Sequence, residues 1–169
     1  VSIKEAGNLT SLIYAACGQK LDQKGKQLFG VPFAQYVRAT AQYTHQFPLS
    51  RRSSLATRIM GGIAYSYGNA VLPPYSDLFT VGGACSVRAF SVRSIGPGRH
   101  RPADSQYSYV DQAGDMKLEA NVEYRFPIVG KLYGAAFLDA GNVWLLRRTE
   151  GMEDGQFSLR RLGRDLALG

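Results

Sequence analysis

Three charged residues occupy positions where a charge needs a partner or water. Arg88 lies in a long segment without strand periodicity, and Glu123 lies on the polar face of an alternating segment. Asp139 is the only acidic residue in an otherwise apolar, glycine-rich segment. A carboxylate in apolar surroundings is costly unless it is paired or faces water. The residues alone leave two interpretations open: ion pairing, or a solvated loop arginine with an aspartate in a turn.

The sequence offers no recognisable catalytic arrangement. His45 and His100 are far apart, and neither lies in a nucleophile motif. Cys17 and Cys85 are also far apart and lack metal-ligand spacing. They can pair in an oxidising compartment, but two unpaired thiols are the stronger expectation. We therefore expect no enzyme activity, no metal and no cofactor.

Composition excludes a helical membrane protein, but it does not exclude a membrane protein of the β-barrel class. The chain has 169 residues, 45% of them hydrophobic, and its mean hydropathy is -0.16. No apolar run approaches the roughly 18 to 20 residues that a spanning helix needs. Barrel strands are about 10 residues long and only half apolar, so they escape this filter. The 10 Tyr, 8 Phe and 19 Gly suit a barrel or a soluble β-sandwich.

The chain is basic, but its positive charges are not arranged for nucleic acid. The net charge is +7 and the sequence pI is about 9.6. Adjacent arginines occur at predicted turns or loops rather than along one stripe. These pairs are Arg51-Arg52, Arg147-Arg148 and Arg160-Arg161. Such positions would meet anionic lipid head groups in a membrane protein, so we expect lipid and no nucleic acid as a partner.

Period-2 alternation predicts β-strands joined by connections of two lengths. The clearest strand is 117–126, in which charged and polar residues alternate strictly with apolar ones. The predicted strands cover about 1–8, 33–47, 53–67, 116–126, 132–146 and 163–169, with long loops at 9–32, 73–115 and 147–162. The first of these loops has a helical pattern around Leu9 to Cys17. Short turns at one end and long loops at the other are typical of an antiparallel transmembrane β-barrel.

The second long loop carries the most specific motif. The stretch from Leu72 ends in a glycine pair and is followed by a Val-Arg-x-Phe element. These residues are Gly82 and Gly83, then Val87, Arg88, Ala89 and Phe90. Two strand motifs follow in order at 119–127 and 137–144, the second reading Asp-x-Gly-x-Val-Trp. From 72 to 144 the chain resembles the outer-membrane protein assembly factor family (BamA/TamA type), also called the bacterial surface antigen family. Ala89 stands where that family usually has glycine.

The resemblance implies a fold and a site. The fold is an all-β, antiparallel transmembrane β-barrel of the outer-membrane type, with residues 1–169 forming part of a single barrel domain. This chain would be a partial barrel fragment with strands missing on both sides. In the family, the loop arginine reaches carboxylates of the barrel wall, which implies that Arg88 pairs with Glu123 and Asp139 and holds the loop inside the lumen.

The resemblance also implies a function in the bacterial outer membrane. That function is the assembly and insertion of β-barrel proteins, or the translocation of proteins across this membrane. Its partners would be outer-membrane lipid, nascent or unfolded outer-membrane proteins, and accessory assembly proteins. Two other classes remain open: a passive pore or structural surface antigen on a similar barrel, and a soluble β-sandwich binding module.

Overall fold

The computed structural model describes residues 1–16, 27–28, 31–67, 73–100 and 112–169. In chain order the elements are β1 (Ser2–Ala6), α1 (Asn8–Ala16), β2 (Gln27–Leu28), β3 (Val31–Pro32), β4 (Gln35–Pro48), β5 (Ser54–Tyr67), β6 (Met116–Val129), β7 (Leu132–Trp144), α2 (Leu162–Asp165) and β8 (Ala167–Leu168). Single 3-10 turns lie at Tyr75–Asp77 and Glu153–Gly155. None of the helices in the described ranges is long and apolar enough to cross a membrane.

Six strands form one antiparallel sheet in the order β1-β4-β5-β6-β7-β8. The expectation of an all-antiparallel β fold is confirmed. Strands β1 and β8 are the two edges, so the sheet is open within the described residues. The β2–β3 pair forms a separate small sheet that the sequence did not predict.

Register gives the large sheet one polar and one apolar face, because successive side chains of a strand point to opposite sides. Arg58 is opposite Asn121, which is opposite Asp139, so these three polar residues share a face across β5, β6 and β7. On the other face, Val122 and Leu138 are opposite each other and exposed. The charged pattern of the sequence therefore lies on one side of the sheet.

Residues 73–100, which we call the covering loop, pack on the polar face. They bury a small apolar core whose members come from the loop and from two strands: Ala64, Phe79, Val81, Val87, Ile95 and Val143. Gly62 makes room for this packing, since a Cβ atom at that position would lie 2.6 Å from the Phe79 ring. The missing side chain lets the loop lie directly against β5.

The predicted strands at 1–8, 33–47, 53–67, 116–126 and 132–146 correspond to β1, β4, β5, β6 and β7. The predicted strand at 163–169 is wrong in its first part, because a helical turn occupies Leu162–Asp165 and only residues 167–169 hydrogen-bond with β7. Side-chain contacts explain the turn: the Asp165 carboxylate accepts a hydrogen bond from the Trp144 indole at 3.3 Å. This contact holds the segment over the end of β7 instead of letting it extend.

The predicted helical segment from Leu9 corresponds to α1, which is described as far as Ala16. Cys17, Leu72 and residues 101–111 of the second loop lie outside the described residues. The remainder of that loop and the loop at 147–162 contain turns and isolated bridges.

Candidate functional site

The glycine pair shapes the turn that presents the Val-Arg-Ala-Phe element. Gly82 and Gly83 have φ of +114° and +98°, a region that favours glycine. A Cβ atom on Gly82 would lie 2.3 Å from the Ser91 carbonyl oxygen, so the chain passes too closely for any other residue. The Gly83 N–H donates to the Phe90 carbonyl at 3.0 Å, which closes the segment into a compact turn.

The apolar members of the element attach it to the core. Val87 is fully buried and packs with the core residues, while Phe90 is partly buried against the same cluster. Ala89 is exposed and does not have a positive φ. An alanine therefore fits this position without left-handed strain, although the related family usually has glycine there.

Arg88 forms a two-pronged contact with Asp139. Its Nε lies 2.7 Å from Asp139 Oδ2 and its Nη2 lies 2.8 Å from Asp139 Oδ1. The backbone N–H of Arg88 donates to the same Oδ2 at 3.0 Å. Paired N–H···O bonds of this kind fix orientation as well as charge. Hydrogen bonding to Asp139 raises the pKa of the Arg88 guanidinium above its ordinary value, so it stays charged.

The same guanidinium reaches a second acid and an aromatic ring. Arg88 Nη1 donates to Glu123, and its Cζ lies 4.0 Å from the centre of the Phe137 ring. Glu123 also accepts a hydrogen bond from Arg125 Nε at 2.7 Å. The structure thus brings together Arg88, Glu123 and Asp139, the three residues whose pairing the family resemblance implied.

Asp139 depends on these donors because its side chain has no exposed surface. Asn121 Nδ2 supplies a further bond to Asp139 Oδ1 at 2.8 Å and also donates to the Ser86 carbonyl at 2.7 Å. We call Arg88, Asp139, Glu123 and Asn121 the Arg88 cluster. Removing one partner of such a buried pair typically costs about 3–5 kcal/mol, because it leaves an uncompensated charge.

A second group of contacts, the Glu119 cluster, lies beside the first. The Glu119 carboxylate is buried and is 3.1 Å from both Arg58 Nη2 and Lys117 Nζ. The Ser86 hydroxyl donates to the same carboxylate and accepts from the Gly82 N–H at 3.0 Å. Glu119, Arg58, Lys117 and Ser86 therefore connect the start of the turn to β5 and β6.

Arg58 and Lys117 also bind the backbone of the covering loop. Arg58 Nη2 donates to the Cys85 carbonyl at 2.9 Å, and Lys117 Nζ donates to the Thr80 carbonyl at 3.0 Å. Arg58 Nε donates to Asn121 Oδ1 at 2.9 Å, which links the Glu119 and Arg88 clusters. Cys85 itself is a free, exposed thiol.

A third group, the Asp77 cluster, attaches the beginning of the covering loop to β1 and β4. Lys4 Nζ lies 2.6 Å from Asp77 Oδ1, and the Tyr36 hydroxyl donates to the same carboxylate. Arg38 Nε donates to the Asp77 carbonyl at 3.1 Å, and its Cζ lies 4.3 Å from the Phe79 ring centre. The hydrogen bonds from Lys4 and then Tyr36 hold the pKa of the Asp77 carboxyl below its ordinary value.

The family resemblance implied the Arg88 contacts, but nothing in the sequence pointed to the other two clusters. Lys117 and Glu119 were placed correctly on a charged strand face, yet nothing in the sequence indicated that loop atoms cover them. Ser86 directly precedes Val87, and the sequence indicated no role for it. In the described part of the chain, no three His, Cys, Asp or Glu side chains are arranged to hold a metal ion. The site is therefore a set of attachments between a loop and a sheet.

Comparison with known proteins assigns this chain to a family. A sequence model of the Omp85 superfamily domain matches residues 15–163, which is most of the chain, so the chain belongs to the Omp85 superfamily. A curated relative is the outer membrane protein assembly factor BamA of Neisseria meningitidis serogroup B (strain ATCC BAA-335 / MC58), which is 33% identical over 115 residues. The alignment covers 65% of this chain and 14% of the relative. The predicted family is confirmed, and its members are proteins of the bacterial outer membrane, which is the location of this chain.

Proposed function

We propose that the sheet is part of a closed transmembrane β-barrel whose apolar face contacts lipid. Strands β4, β5 and β6 have 14 residues each, more than the roughly 9 to 11 that a tilted strand needs to cross a bilayer. Closure with further strands would remove both open edges, as a membrane environment requires.

The distribution of side chains on the apolar face supports this arrangement. Ile59, Val122 and Leu138 form an exposed aliphatic middle. Aromatic residues extend toward the two ends, with Phe47 near the short turn between β4 and β5 and Tyr65 near the long loops, while Tyr43 lies opposite Ile59. An apolar band between aromatic girdles is the outward surface of outer-membrane barrels. A soluble β-sandwich would have to cover this face with a second sheet.

We propose that the intact protein assembles β-barrel proteins into the bacterial outer membrane or translocates proteins across it. Its substrates would be nascent or unfolded outer-membrane proteins. Accessory assembly proteins would act together with it, and its action would not be catalytic. The relative named as an outer membrane protein assembly factor supports this class. Insertion would proceed by pairing of substrate strands with an opening edge of the barrel, since an unpaired strand edge can bind another strand.

The observation that carries the proposal is the two-pronged contact between Arg88 and the buried Asp139. This contact holds the covering loop on the polar face, which becomes the inner wall when the sheet closes. A loop attached across the lumen narrows the water-filled passage that an open pore needs. In an assembly factor, a loop held there keeps the wall in one working conformation while the edge strands pair and release.

Arg88→Ala in the intact protein tests this role. Its matched control is Arg99→Ala, which removes an exposed arginine from the same covering loop. We expect Arg88→Ala to lower the steady-state amounts of many outer-membrane β-barrel proteins severalfold, because the released loop no longer holds the wall in one working conformation. Quantitative blotting of outer-membrane fractions measures this, with the amount of the variant itself determined in parallel.

Two outcomes would contradict the proposal. One is normal amounts of outer-membrane proteins in the Arg88→Ala strain although the loop is shown to be released. The other is a selective change in the flux of a solute with no change in other outer-membrane proteins, which would favour a passive pore. The Arg99→Ala strain should match the wild type in both measurements.

A further inference from the structure

Helix α1 turns its polar side toward the protein and its apolar side outward. Thr10 on its inner side is half-buried, whereas Leu9, Leu12 and Ile13 are 72%, 67% and 54% exposed. These three positions have the spacing that places side chains on one face of a helix. A helix in water normally buries this face, so the orientation of α1 indicates apolar surroundings outside the protein.

The orientation is fixed by contacts at the start of the helix. Asn8 Oδ1 accepts a hydrogen bond from the Tyr67 hydroxyl at 2.5 Å, and Asn8 Nδ2 donates to Glu5 at 3.0 Å. Gly7 has a φ of +81°, and a Cβ atom there would lie 2.4 Å from the Ala34 carbonyl oxygen. The chain therefore bends sharply at one position, and two side chains then hold the first turn in place.

These contacts place α1 beside the apolar face of the sheet. Glu5 is opposite Val37, which is opposite Tyr65, so the three share that face. Tyr67 follows Tyr65 by two residues on β5 and lies on the same face. The apolar stripe of α1 is thus continuous with the face that we propose contacts lipid, at the end where the long loops emerge.

We propose that α1 is an interfacial helix whose Leu9, Leu12 and Ile13 side chains insert into the lipid leaflet on the long-loop side. The inference rests on the proposed barrel. Amphipathic helices of this kind lie in the plane of the interface with the apolar face among the upper acyl chains. A positive charge lies at the same level, because the Arg147 guanidinium is 5.2 Å from the centre of the Tyr65 ring. Arginine beside an interfacial tyrosine suits anionic head groups.

Lipid is a better occupant for this stripe than a second copy of the chain. A stable protein interface buries about 800 Å² on each partner, far more than three aliphatic side chains provide. The stripe carries no charge or hydrogen-bonding side chain that would orient a partner. Lipid needs neither a large area nor a specific orientation, and it already lies against the neighbouring sheet face in the proposed barrel.

Depth-dependent fluorescence quenching tests the inference in the intact protein. The native cysteines, including Cys17 and Cys85, are replaced by serine, and an environment-sensitive fluorophore is attached through Leu12→Cys, Thr10→Cys or Ile59→Cys. The proteins are reconstituted in phosphatidylcholine–phosphatidylglycerol vesicles containing lipid brominated near the head group or near the chain end. Thr10 is the matched control on the inner side of α1, and Ile59 reports the middle of the sheet.

We expect the Leu12 label to be quenched mainly by bromine near the head group, by roughly twofold more than the Thr10 label. The Ile59 label should be quenched mainly by bromine near the chain end.

A Leu12 label that stays unquenched while Ile59 is quenched overturns the inference and leaves the proposal of a barrel unaffected. Shielding of Leu12 that depends on protein concentration but not on bromine also overturns it, in favour of a second copy. An unquenched Ile59 label contradicts the proposed barrel itself. An Ile13→Cys label repeats the test if Leu12→Cys does not fold.

Discussion

Asp139 and Glu123 both bind Arg88, but they differ in what replaces that contact when it is lost. Asp139 is fully buried and receives four hydrogen bonds from Arg88 and Asn121. Glu123 keeps 21% of its side-chain surface exposed and has Arg125 as a second partner. Water and Arg125 can compensate Glu123, whereas nothing in the described surroundings of Asp139 can take the place of Arg88.

We therefore expect Asp139→Asn to destabilise the protein more than Glu123→Gln. An amide at 139 turns donor hydrogens toward donors and takes from Arg88 its buried charged partner, at a cost of roughly 3–5 kcal/mol. The loss at Glu123 should stay within about 1 kcal/mol, as for partly exposed pairs. Urea unfolding of the intact protein in detergent micelles measures both, and equal losses would show that burial does not set the strength of the cluster.

At the scale of elements, β5 contains two adjacent glycines with different roles. A Cβ atom on Gly62 would lie 2.6 Å from the Phe79 ring, whereas the nearest neighbour of a Cβ atom on Gly61 would be the Lys117 carbonyl oxygen at 4.0 Å. The two positions point to opposite faces of the same strand. One therefore accommodates the covering loop, and the other opens onto the apolar face.

Gly62→Ala and Gly61→Ala form a matched pair for the contact between loop and strand. Gly62→Ala should push the Phe79 ring away and loosen the covering loop, at about 1–3 kcal/mol for an overpacked contact. Gly61→Ala should be neutral or slightly stabilising, since glycine is costly inside a strand. Limited proteolysis of the covering loop distinguishes them, and faster cleavage in Gly61→Ala than in Gly62→Ala would contradict the packing.

The sequence predicted the elements that are determined by neighbouring residues, but not those that depend on contacts between separated segments. Alternation of polar and apolar residues predicted the strands β4 to β7, because a two-residue period can be recognised from neighbouring positions in the sequence. The helical turn at Leu162–Asp165 was missed since it depends on Asp165 meeting Trp144, a contact between distant segments. The β2–β3 pair has two residues in each strand, too few for any period.

The same distinction applies to the site. The motif and its family resemblance predicted where Arg88 would reach, and the structure brings those atoms together. The Glu119 cluster could not be predicted, because the sequence shows that Lys117 and Glu119 share a strand face but not that the loop lies over them. The Asp77 cluster needs Lys4 and Asp77 to meet across a long sequence separation, and only the three-dimensional fold provides that.

For the whole molecule, the three clusters attach one loop to five neighbouring strands of the sheet. The Asp77 cluster reaches β1 and β4, the Glu119 cluster reaches β5 and β6, and the Arg88 cluster reaches β6 and β7. A loop bound across so many strands resists changes in sheet curvature. In the proposed barrel it would restrict how far the wall opens, which is the property that an assembly factor must control.

A double-mutant cycle on Arg88 and Asp139 tests the central claim most directly. The unfolding free energies of Arg88→Ala, Asp139→Asn and the double variant are compared with those of the unmodified intact protein. A second cycle on Arg148 and Glu153 is the control, because both side chains of that ion pair are 71% exposed and exposed pairs couple by less than about 1 kcal/mol. We predict a coupling of about 2–3 kcal/mol between Arg88 and Asp139, as for residues in one buried network. Losses that add to within about 0.5 kcal/mol, as at independent sites, would contradict the account.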